Sequence, residues 1–312
     1  MDIKDLRIAF MGTPEISATV LESLISYGLN IVCVIAQPDR PVGRKQLLEA
    51  VPTKKIAEKY NIPVYQKVKI RLDYEFLKEI NPDLIITLAY GQIVPQGLLD
   101  IPKYGCLNLH GSLLPKYRGA APIQYALINQ EKETGMSLME MIDKMDAGRV
   151  FATKKIAISD DDNSSSLFLK MADVASALLL ENLQDYIDGK LVGLIQDESL
   201  VSFAPSIKKE EEKIDLNKSA LEIVAYVRAF ADVPGAYLLL NEEKLKIYKA
   251  RYVSNEIKGQ VGEIVEMNKN GVFLQCRDGI INLLILQKQG KNKLDFAAFV
   301  NGNMNLLHTV LK

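Results

Sequence analysis

Two polar side chains at the end of an apolar run are the first candidates for chemistry in this 312-residue sequence. Asn108 and His110 close the run that begins at Gly105, which predicts a buried strand. Because side chains alternate along a strand, both lie on the same face. An amide donor beside an imidazole can polarise a carbonyl group and stabilise the negative charge that its oxygen gains under nucleophilic attack. The alternative is that the backbone of the following loop satisfies both side chains.

A carboxylate follows the next predicted strand, 136–142. Asp146 stands before Ala147 and Gly148, in a loop that also contains Asp143 and Arg149. If the two strands are neighbours in the sheet, Asp146 can orient His110 or accept a proton through water. An ordinary turn aspartate is the alternative, and the local pattern does not exclude it.

Scarce residue types exclude several kinds of site. The chain has only two histidines, His110 and His308, and three cysteines that lie far apart in apolar stretches, Cys33, Cys106 and Cys276. We therefore expect no metal site and no disulfide framework, and interpret the cysteines as buried thiols. The turn after the first strand has one glycine, Gly12, which disfavours a nicotinamide dinucleotide, and no phosphate-binding P-loop motif occurs.

Positioning these residues requires an α/β scaffold. Short apolar runs at 6–11, 31–36, 62–65, 84–89, 105–109 and 136–142 alternate with helical patterns, which predicts a Rossmann-like, mostly parallel sheet with helices on both faces. The first helix is predicted to start with Thr13 as its N-cap and Pro14 at its first position, and to stop at Gly28. A long packing helix is predicted over 164–187.

The pattern changes in the last third of the chain. Five short strand signals with hairpin turns, over 236–240, 244–251, 261–267, 271–275 and 280–286, predict a small OB-like β-barrel, preceded by a helix that Ser219 caps. We expect a catalytic domain over 1–189, a linker over 190–207 and a C-terminal domain over 208–312. Basic and acidic residues nearly balance, 38 against 39, and no apolar run approaches ~20 residues, so we expect a cytoplasmic protein without a membrane partner.

The run 108–122, together with 134–135, 139–141 and 146–148, resembles the formyltransferases that use 10-formyltetrahydrofolate. The resemblance extends over nearly the whole chain, through 10–14, 37–44, 89–91 and 228–230. It implies transfer of the formyl group from this folate to the α-amino group of methionine on initiator tRNA, and we expect a monomer. Within that family, the matching residues imply a catalytic trio, Asn108, His110 and Asp146, and a folate-binding segment, Ser112, Leu113, Leu114 and Pro115.

A basic stretch resembles the inserted loop with which the family's tRNA-specific member faces the acceptor stem. The implied tRNA-binding residues are Arg40, Arg44 and Lys45, followed by Lys54, Lys55 and Lys59 on a helix. Their physical role would be to neutralise RNA phosphates. The sequence departs from the familiar loop at Lys45, where a glycine is common. A solvated lysine-rich loop is the alternative.

Three other functions compete with this one. A folate-dependent formyltransferase for the amine of a sugar nucleotide could share the trio while replacing the tRNA-reading parts. A catalytically idle RNA-binding protein would use only the basic loop and the barrel. A nicotinamide oxidoreductase is the weakest alternative because of the single-glycine turn.

Overall fold

The computed structural model describes residues 2–42 and 47–312. The chain divides into two compact units. The first runs from the start of the chain to Pro122 and also contains Glu133–Ala157 and Phe168–Pro205. The second contains Ser206–Lys312 together with Ile123–Lys132 and Ile158–Leu167.

Strands and helices alternate through the first two thirds of the chain. The strands are β1 (Ile8–Gly12), β2 (Ile31–Ala36), β3 (Arg40–Val42), β4 (Leu47–Glu49), β5 (Val64–Gln66), β6 (Leu84–Leu88), β7 (Cys106–His110), β8 (Glu133–Glu140) and β9 (Val150–Ala157). The helices are α1 (Glu15–Tyr27), α2 (Pro52–Lys59), α3 (Phe76–Ile80), α4 (Gln96–Leu99), α5 (Pro122–Ile128) and α6 (Ser164–Ile187). The predicted Rossmann-like alternation is confirmed, and α6 has the predicted bounds.

Seven of these strands form one sheet in the order β5-β2-β1-β6-β7-β8-β9. The first five are parallel to one another, while β8 runs antiparallel to β7 and β9 antiparallel to β8. The strand order reverses direction between β1 and β6, which is where ligands bind in open α/β sheets. The strands β3 and β4 form a separate antiparallel hairpin.

The start of α1 differs from the prediction. Its N-cap is Pro14 rather than Thr13, and no side chain caps the helix. The Thr13 hydroxyl instead donates to the carbonyl of Tyr90, and it accepts the backbone N–H of Gln37. Thr13 therefore ties the ends of β1, β2 and β6 together. At the other end of the helix, Gly28 has the left-handed conformation (φ 99°) expected of a stop.

The core of the first unit lies along the faces of this sheet. One cluster joins buried residues of β1, β2, β6 and β7 to those of the loops and short helices that follow: Ala9, Met11, Cys33, Ile35, Ile70, Leu77, Ile85, Tyr90, Val94, Leu98, Leu99 and Cys106. All three cysteines of the protein are buried and free, as the sequence predicted. No helix among the described residues is long and apolar enough to cross a membrane.

The second unit contains an antiparallel sheet. Its elements are α7 (Ala220–Ala229), β10 (Ala236–Leu240), β11 (Glu243–Ser254), β12 (Ile264–Asn268), β13 (Gly271–Cys276), β14 (Gly279–Lys288), β15 (Leu294–Asp295) and α8 (Phe296–Asn301). The strand order is β10-β11-β14-β13-β12, and β15 pairs with β14. Single-turn 3-10 helices lie in the two units at Ile3–Asp5, Ile70–Leu72, Glu198–Leu200, Lys209–Glu212 and Met304–Leu306.

The C-terminal residues connect the two edges of this sheet. The backbone of Lys312 exchanges hydrogen bonds with Leu239 of β10, while Leu311 N–H donates to Gly262 just before β12. Because one segment bonds both edge strands, the sheet closes as a small barrel. Ser219 caps α7 in a capping box with Glu222, as predicted.

Candidate active site

His110 is the last residue of β7, and its ring is held from one side. The side chain is 6% exposed, and its Nε2 lies 2.9 Å from the carbonyl oxygen of Tyr117. Because a carbonyl oxygen can only accept, Nε2 donates the proton of this hydrogen bond. In the neutral imidazole the other ring nitrogen, Nδ1, is then left with a free lone pair.

Asp146 faces that free nitrogen. The strands β7 and β8 are neighbours, so the loop after β8 brings the Asp146 carboxylate to His110, with 3.6 Å between Oδ2 and Nδ1. The same Oδ2 accepts the backbone N–H of Gly119 at 2.8 Å. A separation of 3.6 Å is too long for a direct hydrogen bond. The pair therefore presents two acceptors that can share one incoming N–H group.

Asn108 lies one alternation before His110 on the same strand. Its register partners are Thr87 on β6 and Met139 on β8, so these side chains share one face of the sheet. Among the described residues, no hydrogen-bond partner is found for the Asn108 amide or for the buried hydroxyl of Thr87. The amide is thus available to donate to a bound substrate, and loop backbone does not satisfy it.

The segment that follows β7 is shaped by two serine hydroxyls. Ser112 is completely buried, and its hydroxyl donates to the carbonyl of Lys116 at 2.6 Å. Ser137 of β8 donates to the Ser112 carbonyl and accepts the Leu114 N–H. These bonds leave Leu113, Leu114 and Pro115 half-buried, as an apolar stretch beside the His110–Asp146 pair.

A short loop connects the two catalytic candidates. Tyr117 supplies the carbonyl that holds His110, and Gly119 supplies the N–H that holds Asp146. Gly119 has φ 124°, and a Cβ there would lie 2.6 Å from the carbonyl oxygen of Ala204. A side chain at position 119 would therefore displace the amide that fixes the carboxylate.

A cavity of about 610 Å³ opens at the carboxyl ends of β1, β2 and β6, and its lining includes none of Asn108, His110 and Asp146. It lies at the point where the strand order reverses. Its walls come from those strand ends, from the start of α1 and from the hairpin β3–β4 with the start of α2: Thr13, Pro14, Glu15, Gln37, Pro38, Arg40, Glu49, Ala50, Val51, Pro52, Lys55, Ala89, Tyr90 and Gly91.

Of the three predicted tRNA-binding residues, the structure describes one. Arg40 is exposed and lines the cavity, whereas Arg44 and Lys45 lie outside the described residues. The lysines of α2 each bind a carboxylate: Lys54 with Asp39, Lys55 with Glu49 and Lys59 with Glu22, at 2.5–2.6 Å. These hydrogen bonds raise the pKa of all three lysines. Local acids thus offset part of the positive charge that the sequence suggests.

Sequence reasoning missed two residues of the site. Arg118 is 1% exposed and Gln196 7% exposed, and the two are hydrogen-bonded to each other beside Asp146. Arg118 lies inside the run 108–122 that carries the family resemblance, and this position was the signal that could have identified it. No feature of the sequence marks Gln196. No group of three or more His, Cys, Asp or Glu side chains that could hold a metal occurs within 2–42 and 47–312.

Comparisons with known proteins identify the family to which the chain belongs. The formyl transferase family matches residues 6–183, and the C-terminal domain of formyl transferases matches residues 206–304. The chain is 41% identical over 303 residues to the methionyl-tRNA formyltransferase of Malacoplasma penetrans, covering 97% of this chain and 95% of that protein. It is 45% identical to the enzyme of the same name from Lactococcus lactis, covering 95% of each chain.

Solved structures share the fold at lower identity. HypX from Aquifex aeolicus, in complex with tetrahydrofolic acid, superposes with a TM-score of 0.67 at 19% identity, over 97% of this chain. The present chain spans about half of HypX, 48%. The sugar 3N-formyltransferase WlaRD superposes with a TM-score of 0.64 at 22% identity, over 92% of this chain and 99% of that one. The chain belongs to the formyltransferase family, within the group of the methionyl-tRNA formyltransferases.

Proposed function

We propose that this formyltransferase transfers the formyl group of 10-formyltetrahydrofolate to the α-amino group of methionine on initiator tRNA, giving N-formylmethionyl-tRNA for the start of translation. The observation that supports this most directly is the His110–Asp146 pair, 3.6 Å apart, beside the Asn108 amide. The pair stands in a chain that is more than 40% identical to methionyl-tRNA formyltransferases over 95% or more of its length.

The residues present fit a folate. The half-buried stretch Leu113, Leu114 and Pro115 offers apolar contact to a flat ring system, and the Asn108 amide offers a donor without a partner in the described part of the chain. The folate supplies the formyl group. We assign its binding to these three residues, and to Ser112 through the hydrogen bonds that shape their loop.

Asn108 would donate to the formyl oxygen as that oxygen gains negative charge. One such donor is typically worth about 2.7–4 kcal/mol of transition-state stabilisation. His110 Nδ1 and Asp146 Oδ2 would accept the proton that the attacking amine loses, and a proton would go to N10 of the folate as its bond to the formyl carbon breaks. A free α-amino group has a pKa of about 7.7–8.0, so most of it is protonated at pH 7, and only the neutral form attacks. Holding the amine near the formyl carbon can contribute roughly 7–11 kcal/mol more.

For tRNA binding we assign Arg40, Arg44 and Lys45 to phosphates of the acceptor stem. We further assign residues 1–189 to catalysis and 190–207 to a linker, with 208–312 contributing to tRNA binding. A monomer acting in the cytoplasm, where initiator tRNA is charged and used, completes the proposal.

The experiment that tests the function is a choice of acceptor. Purified protein is given 10-formyltetrahydrofolate with either charged initiator tRNA or a nucleotide-linked amino sugar, and product formation is followed in time. We expect rapid formylation of the aminoacyl-tRNA and none of the sugar amine. Transfer to the sugar alone would overturn the proposal. Tight tRNA binding without any transfer would favour an RNA-binding protein instead.

A further inference from the structure

Gln196 lies behind the carboxylate of the site, in the segment after α6. Its amide nitrogen donates to two carbonyl oxygens of the Asp146 turn, those of Asp146 at 2.9 Å and Gly148 at 2.8 Å. Asp146 has a left-handed backbone (φ 49°), which costs a residue with a side chain about 1–3 kcal/mol and persists only where neighbours hold it. Gln196 therefore holds the turn that aims the carboxylate at His110.

Arg118 orients the Gln196 amide. Its Nε donates to Gln196 Oε1 at 3.0 Å, so the other end of the amide, the NH₂ group, must face the two carbonyls. A second nitrogen of Arg118 donates to Glu198 at 2.9 Å, and Lys144 binds the same carboxylate at 3.1 Å. These hydrogen bonds hold the pKa of Glu198 below its usual value. The buried guanidinium is thus paired and cannot easily leave.

The same segment also holds the loop that carries the His110 partner. Ser202 accepts the Tyr117 N–H with its hydroxyl and the Arg118 N–H with its carbonyl. The Ala204 N–H donates back to the Arg118 carbonyl. Tyr117, like Asp146, is left-handed (φ 61°) and needs such support. Residues 196–204 therefore bond both sides of the His110–Asp146 pair.

We propose that Gln196, oriented by Arg118, is a positioning residue that sets the distance between Asp146 Oδ2 and His110 Nδ1. Its role rests on the proposed formyl transfer, because it acts only through those two groups. Its side-chain amide bonds Arg118 and the two carbonyls of the Asp146 turn. Loss of its two donors releases the Asp146 turn and changes the environment of the imidazole, while the sites for folate and tRNA stay intact.

The first test does not depend on activity. The protein has only two histidines, so its imidazole NMR spectrum contains two sets of signals, which His308→Gln assigns. Gln196→Glu keeps the size of the side chain and the acceptor for Arg118 but removes both donors to the carbonyls. We expect the His110 signals to move at fixed pH while those of His308 stay. Unchanged His110 signals in a folded variant would overturn the proposal.

The second test is kinetic. We expect Gln196→Glu to lower kcat about 10–100-fold, as misplacement of a reacting group by about 1 Å does, with both KM values within about twofold. In an Asp146→Asn background the same change should cost less than about twofold, because the group it positions is already gone. An equal loss in both backgrounds would show that Gln196 does not act through Asp146. Ser199→Ala is the matched control, since among the described residues its hydroxyl bonds only Asp197 of the same segment.

A variant that does not fold and a wild-type protein without formyl transfer call for different conclusions. If Gln196→Glu does not fold, Gln196→Asn repeats both tests with a neutral amide too short to reach Arg118 and both carbonyls at once. If the wild-type protein forms no formylated tRNA, the proposed function fails, and the NMR arm alone decides whether Gln196 positions the pair.

Discussion

Replacing Asn108 by alanine removes the amide that we assign to the formyl oxygen, and no hydrogen-bond partner is found for this amide among the described residues. The side chain is only partly buried, and no partner is left unsatisfied by its removal. The free energy of unfolding should therefore change by less than about 1 kcal/mol. Any large loss of activity must then come from the reaction itself.

The expected loss follows from the hydrogen bond that would strengthen in the transition state. Removing one donor of this kind costs about 2.7–4 kcal/mol, which corresponds to a fall in kcat of about 10²–10³-fold. Asn108→Asp keeps the shape but replaces the donor with a negative acceptor, so it should lose more activity than alanine. Neither change should alter the KM for tRNA by more than about twofold.

The assay is steady-state formylation of methionyl-tRNA at saturating 10-formyltetrahydrofolate, with thermal denaturation of each variant run in parallel. A fall in kcat of less than about fivefold for Asn108→Ala would refute the assignment of this amide to the formyl oxygen. A large fall with a loss of several degrees in Tm would refute the premise that the amide has no structural role.

Three further predictions concern charge, burial and reactivity. Arg40→Ala should weaken binding of tRNA and reduce the slope of log affinity against log salt by about 0.7–0.9, as loss of one phosphate contact does. Lys155→Ala, on the edge strand β9, is the control. If the Arg40→Ala slope equals that of the control, Arg40 does not contact the tRNA. Thr87→Val should raise the free energy of unfolding by about 1 kcal/mol, because it removes a buried hydroxyl without a partner in the described chain. The measurement is the midpoint of urea denaturation, which should rise. A lower midpoint would show that the hydroxyl is bonded. Burial raises the pKa of all three thiols to about 12, so the reactive thiolate is nearly absent at pH 8. A disulfide reagent should therefore label the native protein at least about 100-fold more slowly than the unfolded protein. Rapid labelling of any thiol in the native protein would contradict its burial. The three thiols are Cys33, Cys106 and Cys276.

The part of the site that the sequence could predict depends on local periodicity. Strand alternation places Asn108 and His110 on one face whatever the rest of the chain does, and the structure has them on β7. The approach of Asp146 required only that β7 and β8 be neighbours, which consecutive strands often are. Helix α6 has the predicted bounds because its apolar positions repeat at the helical period over 24 residues.

What the sequence did not reveal depends on partners that lie far away in the chain. Thr13 looks like a helix cap, but its hydroxyl bonds the carbonyl of Tyr90, 77 residues later. Strand β9 was missed because its residues are only partly buried and include Lys154 and Lys155, so no apolar run marks it. Gln196 bonds groups 48 and 50 residues earlier, and no local pattern can encode that.

The chemistry of the pair depends on the loop 117–119 more than on the strands that carry its members. Because Nε2 donates its hydrogen bond to the Tyr117 carbonyl, Nδ1 is the ring nitrogen that can accept a proton from the amine, and Asp146 stands on that side of the ring. Because Nδ1 of the neutral ring and the Asp146 carboxylate are both acceptors, no direct hydrogen bond closes the 3.6 Å gap between them, while the Gly119 N–H holds Oδ2 in place. The gap is thus kept open for a shared proton. A change that moved Asp146 closer to Nδ1 would bring two acceptors into contact and leave less room for the N–H of the substrate amine.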